Sequence, residues 1–205
     1  MKDKLLIIGA SGHGRVVADI ALKMNKWKTI AFLDDDLNIK ASMGIEVIGT
    51  TKDILTYVKD FDIFVGLGNN GTRRKIQEIL VASGASIPII VHPNAVIGTQ
   101  VKLGEGTTVM AGAVINCCTE IGQGCIVNTG SSIDHDTIIE DYVHISPGVH
   151  LAGAVKIGRD SWIGIGSTVI NNITITSRCK IGAGAVVIKD ITEPGTYIGV
   201  PARRI

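Results

Sequence analysis

Aromatic side chains are scarce. Phe, Tyr and Trp supply 4% of the 205 residues, while 45% are hydrophobic, so a core has to be built from stacked aliphatics rather than rings. An excess of one charge is also missing. Lys and Arg number 20, Asp and Glu 19, for a formal net charge of +1, which gives no electrostatic reason to expect a nucleic acid or an anionic membrane as partner. No apolar stretch approaches the length of a membrane span. Met1-Lys-Asp-Lys leads straight into a short apolar strand, too short for the apolar region of a signal peptide. Cysteine is sparse, with Cys117, Cys118, Cys125 and Cys179 and no Cys-x-x-Cys. Reduced thiols in a cytoplasmic protein are expected. The length allows one large domain or two small ones.

A period is present instead. From Val91 to Val187 every sixth residue is Ile, Leu or Val, through Ile97, Leu103, Val109, Ile115, Ile121 and onward, seventeen markers without exception. Period six belongs neither to a helix nor to a flat sheet. It is a repeat of short strand and turn, which predicts a parallel β-helix. The position four after each marker is mostly small or β-branched, as at Thr107, Ala113, Thr119, Cys125 and Ser131, which suits a triangular coil of three hexads. Residues 18 apart then stack at one strand spacing, about 4.8 Å. Cys125 and Cys179 fall three coils apart, about 14 Å, beyond disulfide reach. Gly follows the marker at Gly98, Gly104, Gly122, Gly158, Gly164 and Gly182, where a positive φ is expected.

Residues 1–88 have a different texture. A buried strand, Lys4-Leu-Leu-Ile-Ile-Gly9, runs into the glycine turn Gly9-Ala-Ser-Gly-His-Gly14, and helical spacing follows from Arg15 to Lys26. Thr29 to Asp34 reads as a second strand ending in Asp34, Asp35 and Asp36. Asp62 to Gly68 reads as a later strand, and a helix is expected from about Thr72 to Ser83. The run Arg73, Arg74, Lys75 reads as a solvated helix face. Alternating strands and helices predict a Rossmann-like α/β domain over 1–88, with the β-helix over 89–205. The glycine turn gathers backbone N–H groups at a helix amino end, an anion site. Its spacing is Gly-x-x-Gly-x-Gly, not the dinucleotide Gly-x-Gly-x-x-Gly.

The hexads with Gly199-Val-Pro-Ala-Arg-Arg-Ile205 resemble the hexapeptide-repeat, left-handed β-helix acyltransferases. With Gly9–Gly14, Phe32-Leu-Asp-Asp35 and Gly68-Asn-Asn-Gly71, the chain resembles the sialic acid O-acetyltransferase and nucleotide-amino-sugar N-acetyltransferase group. The resemblance implies a homotrimer with active sites between subunits, acetyl-coenzyme A as co-substrate, and a nucleotide sugar held by the amino-terminal domain. Ser11, Gly12, His13, Asp34, Asp35 and Gly68 are then candidate substrate contacts, and His144, Ile165 and Ala183 candidate cofactor contacts. Lys180, Arg203 and Arg204 are candidate cations for the cofactor phosphates.

N-acetylation needs a base for the amine proton and a donor for the developing oxyanion. His135 lies in Ser131-Ser-Ile-Asp-His-Asp136, beside acids able to hold its tautomer. The family's catalytic histidine falls here, followed by Glu or Asp. Stacking places Gly153 one coil above His135, and the likeness assigns its N–H to the oxyanion. The expected set is His135 as base, Asp136 as its orienter and Gly153 as donor. The favoured substrate is a nucleotide-linked amino sugar of the UDP-4-amino-4,6-dideoxy type. Alternatives are O-acetylation of sialic acid and a non-catalytic nucleotide-sugar-binding protein. A zinc site of the γ-carbonic anhydrase kind needs three convergent histidines. His144 and His150 share one hexad position and His135 holds another, so no metal is expected.

Overall fold

The computed structural model describes residues 2–205. The chain divides into two compact units after Pro93.

In the amino-terminal unit, β1 (Lys4–Ile8), β2 (Thr29–Leu33) and β5 (Asp62–Val65) form a parallel sheet in the order β2-β1-β5. A small hairpin, β3 (Ala41–Ser42) and β4 (Ile45–Glu46), follows β2. Leu5 to Ile8 are wholly buried, as a central parallel strand covered on both faces requires. Helix α1 (Gly12–Met24) begins three residues before the expected Arg15, so the second half of the glycine turn is its first turn. A Cβ on Gly14 would fall 1.8 Å from the Gly9 carbonyl oxygen; that residue is glycine because helix and strand end touch through backbone. Helix α2 (Asn70–Ala82) is capped by Asn69, whose side chain accepts from the Thr72 N–H at 2.9 Å.

Arg73 corrects the expectation of a solvated helix face. It is buried at 1% exposure. Its guanidinium donates to the carbonyls of Leu67 and Gly68 at 3.1 Å each and to Asn70 Oδ1 at 2.8 Å. A cation that opens a basic triplet looks solvated in sequence, yet here it satisfies carbonyls left open beyond the end of β5.

The second unit is the predicted parallel β-helix. Each of the seventeen markers, of which Val91 alone precedes the division, is the second residue of a two-residue strand. Pairing joins residues 18 apart, as in Ile115 with Ile97 and Ile133 with Ile115. Three walls result. The first carries Val96–Ile97, Val114–Ile115, Ser132–Ile133, His150–Leu151, Thr168–Val169 and Val186–Val187. The second carries Lys102–Leu103, Glu120–Ile121, Ile138–Ile139, Lys156–Ile157 and Thr174–Ile175. The third includes Thr108–Val109, Ile126–Val127, His144–Ile145, Trp162–Ile163 and Lys180–Ile181. From Val109 onward every marker is buried, at 3% exposure or less. Full burial of one such side chain contributes about 1.5–3 kcal/mol, and the stack repeats that gain coil after coil without an aromatic ring. Buried hydroxyls at the following small positions are satisfied by carbonyls, as Thr107 to Gly122 at 2.8 Å and Thr119 to Asp134 at 3.1 Å.

The corners correct the glycine reading. Positive φ falls three residues after the marker, at Gly106, Gly112, Gly124 and Gly130 but also at Cys118, Asp136, Tyr142 and Ala154. The glycines directly after the marker are needed for room. A Cβ on Gly158 would meet the Ser177 amide nitrogen at 2.3 Å, and one on Gly104 the Gln123 nitrogen at 2.4 Å. Among the described residues no helix is long and apolar enough to cross a membrane.

The two glycine classes are expected to respond differently to alanine. Gly158→Ala forces two coils apart and costs stability toward the upper part of about 1–3 kcal/mol. Gly130→Ala, with φ +64 and open space around its Cβ, costs about 1 kcal/mol. Thermal unfolding of the two variants checks the order.

Candidate active site

Position in the coil decides what each polar residue meets. His135, Asp136 and Gly153 occupy the corner between the first and second walls. His144 lies on the third wall, and Ile165 and Ala183 lie at the corner between the third and first walls.

At the first of these corners the imidazole is held from several sides. His135 Nδ1 lies 2.7 Å from Asp136 Oδ2. Asp136 is shorter than a glutamate but reaches the ring because its backbone is left-handed, with φ 58. That contact fixes the proton on Nδ1 and leaves the Nε2 lone pair free to accept. Asp134 braces the loop: its Oδ1 accepts from the His135 backbone N–H and from Asn116 Nδ2, both at 2.9 Å. These hydrogen bonds hold its carboxyl below the usual carboxylate range. The Asp136 hydrogen bond lifts the His135 pKa above its ordinary 6.5; desolvation opposes the rise, and the Asp134 and Asp136 charges add to it.

Gly153 stands where stacking predicts. A Cβ there would lie 2.8 Å from both Cε1 and Nε2 of His135, so the missing side chain is what lets the ring lie over the next coil. The neighbouring amides of Ala152 and Ala154 donate to Val169 and His135 carbonyls at 3.0 and 2.9 Å. The Gly153 N–H has no acceptor among the described residues. That is common at this corner position; a basic nitrogen alongside it is particular to Gly153.

The three expected cofactor residues come together. His144, Ile165 and Ala183 line one groove of about 410 Å³, with Asn128, Trp162 and Lys180. His144 stacks on Trp162 with ring centroids 4.9 Å apart and planes at 23°. Asn128 Nδ2 lies 3.3 Å from His144 Nε2, and Trp162 Nε1 donates to Ser146 Oγ at 2.8 Å. Sequence reasoning named neither Asn128 nor Trp162, although Trp162 is His144 plus 18 and the same rule finds it. Likewise Asn116 is Asp134 minus 18. Arg203 and Arg204 lie elsewhere, lining a cleft of about 350 Å³ with Lys189, and Arg204 is paired with Glu193.

The six amino-terminal candidates lie in or beside the segments that follow the carboxyl ends of three parallel strands, the usual ligand edge of such sheets. Ser11 is the N-cap of α1, and its side chain makes no cap hydrogen bond. A Cβ on Gly12 or Gly68 would meet nothing within 4 Å, so both backbones are open to a ligand. His13 is half-buried in the first turn of α1. The acids are already engaged. Asp34 accepts from the Ala10 N–H at 2.7 Å and the Asp36 N–H at 2.9 Å. Asp35 accepts from the Thr51 N–H at 2.9 Å and its hydroxyl at 2.8 Å. Asp34 thus pins the glycine turn to the end of β2.

Comparison with known proteins agrees with both units. Residues 4–80 match the PglD N-terminal domain, and residues 154–189 match the bacterial transferase hexapeptide (six repeats). GDP-perosamine N-acetyltransferase of Escherichia coli O157:H7 is 30% identical over 184 residues, covering 87% of this chain and 82% of that protein. The acetyltransferase domain of PglB from Neisseria gonorrhoeae, solved with acetyl coenzyme A, is 40% identical over the whole of both chains, with a TM-score of 0.97. PerB from Caulobacter crescentus, solved with CoA and GDP-perosamine, is 35% identical over 98% of this chain and 97% of that one, with a TM-score of 0.93. With the same two units in the same order along its whole length, the chain belongs to the hexapeptide-repeat nucleotide-amino-sugar N-acetyltransferases and is an acetyltransferase.

Proposed function

We propose that the protein transfers the acetyl group of acetyl-coenzyme A to the amino group of a nucleotide-linked sugar. The observation that carries this reading is the His135 imidazole, its Nδ1 tied to Asp136 and its ring against Gly153. The relatives that act on GDP-perosamine or bind CoA support it.

The chemistry follows from that geometry. The amine attacks the thioester carbon; a carbon–nitrogen bond forms and the carbon–sulfur bond breaks. His135 Nε2 takes the amine proton, and Asp136 stabilises the imidazolium through Nδ1–H. The Gly153 N–H donates to the oxygen that gains charge. No cysteine or serine nucleophile is required. The groove holding His144, Ile165 and Ala183 takes the pantetheine, with Lys180 toward the phosphates. The amino-terminal unit takes the nucleotide sugar through Ser11, Gly12, His13 and Gly68, with Asp34 and Asp35 shaping the loops around it. We take the sugar to be of the 4-amino-4,6-dideoxy type, carried on UDP or a related nucleotide.

One chain does not complete this site. The base and the groove stand at corners separated by a whole first wall, a six-residue side of up to about 20 Å at 3.3 Å per residue. A thioester in the groove of one chain therefore meets the His135 of another, which supports a closed homotrimer.

Three outcomes are expected. Coenzyme A release measured with UDP-, GDP- and TDP-amino sugars and with sialic acid gives turnover on an amino sugar, and His135→Ala lowers it by about 10²–10⁴-fold. Turnover on sialic acid alone would overturn the proposal. In the pH profile, a base must be neutral to act, so the raised His135 pKa sets the acid limb above 6.5. Asp136→Asn moves that limb to lower pH and reduces the plateau. Finally, His135→Ala and a groove-blocking Ala183→Trp, each inactive alone, regain activity when unfolded and reassembled together, at about one site in four for random trimers. No recovery in verified mixed trimers argues for a site within one chain.

A further inference from the structure

Cys117 and Cys118 lie on the corner that carries the His135 base, one coil below it. Residue 117 is His135 minus 18, and residue 118 is Asp136 minus 18, in the register that pairs Ile115 with Ile133. The Asp136 N–H donates to the Cys117 carbonyl at 3.3 Å, so the acid of the dyad hangs from this pair. Both thiols are exposed, whereas Cys125 and Cys179 are buried. Cys118 sits in the left-handed region with φ 60, and its Sγ contacts Gln100 Oε1 at 3.4 Å. Desolvation pushes the Cys118 thiol up, and the adjoining Cys117 thiol and the Asp136 charge push it further. Cys117 and Cys118 are thus consecutive exposed thiols on the corner that carries the dyad.

Neither thiol is called on by the acetyl transfer proposed above, and exposure in the single chain excludes a core role. Two adjacent soft donors on one exposed corner suit a thiophilic centre that takes two sulfurs together.

We propose that Cys117 and Cys118 form a dithiol site for a bidentate thiophile of the trivalent arsenical class, and that its occupancy arrests acetyl transfer at His135. An arsenic–oxygen double bond is replaced by two arsenic–sulfur bonds. The two thiol protons leave with the oxygen as water, and no electron changes hands. The bound group then stands directly beneath the His135–Asp136 corner, on the side from which the coil supports it. The arrest rests on the function proposed above; the binding does not.

Phenylarsine oxide on the full-length protein tests both parts, with acetylated sugar measured by mass because released coenzyme A is itself a thiol. One adduct per chain is expected, mapped by digestion to the peptide holding Cys117 and Cys118. Turnover is lost, returns with 2,3-dimercaptopropanol, and does not return with excess monothiol. Cys117→Ser/Cys118→Ser keeps basal turnover and takes up no arsenical. The proposal is overturned if the adduct maps to Cys125 or Cys179, if the double variant is equally inhibited, or if a fully loaded protein turns over normally. Untreated protein that acetylates no acceptor would sink the proposed function alone, while mapping of the adduct still decides the dithiol site.

Discussion

The hydrogen-bonded ladder joining each coil to the residue 18 positions onward fixes the neighbour relations of the second unit as far as Val187. It stacks Asn116 under Asp134, Cys117 under His135, His135 under Gly153 and His144 under Trp162. None of these pairs is close in sequence, and none has to be arranged by a special contact. The apolar markers hold the register, because a slip by one residue would turn each of them outward. Polar residues at the corners and outer positions are carried along at fixed height. The energy is aliphatic and repetitive, and the chemistry depends on a few side chains that the same repeat leaves pointing outward.

The corner geometry explains a local departure as well. Each corner from Gln100 to Gly184 places one residue in the left-handed region, whatever its identity. At most corners this is a cost, eased where the residue is Gly, and Asn or Asp tolerate it better than most. At Asp136 the same turn swings a short carboxylate onto Nδ1 of the preceding ring. An acid one methylene shorter than glutamate is sufficient because the backbone supplies the reach. Asp134, on the other side of His135, fixes the loop through backbone and Asn116. The histidine is therefore positioned from both flanks, one acid acting on its ring and the other on its main chain.

Much of this was legible in the sequence, for a definite reason. A period is a global property, so the markers predict the strands, and the 18-residue interval predicts the His135–Gly153 contact. Contacts that depend on side-chain direction were less accessible. Nothing in Arg73-Arg74-Lys75 says that the first guanidinium turns inward to the Leu67 and Gly68 carbonyls. The acids after β2 read as candidate ligands for sugar hydroxyls, and pattern does not show that Asp34 also accepts from the glycine turn. The glycines after the markers were read as conformational, when the nearest backbone shows them to be steric. Each miss concerns what fills the space around a residue, which pattern alone does not encode. Trp162 differs, since the interval that located Gly153 locates it beneath the same groove as His144.

The separation of base and groove follows from the repeat rather than from any one residue. Three hexads per coil put Ile165 and Ala183 at one corner and His135 at the next, and no rotation of side chains spans the wall between them. A single coil of this design has the His135–Asp136 pair and the groove of His144, Ile165 and Ala183 facing different directions. Bringing the corner of one copy against the groove of another joins the two without altering either register. It also covers exposed apolar side chains such as Ile165, 61% exposed in the single chain, which a lone subunit would leave in water. The contact proposed to supply the missing half of the chemistry would thus also bury apolar surface, so assembly and catalysis, as proposed, would draw on one feature of the coil.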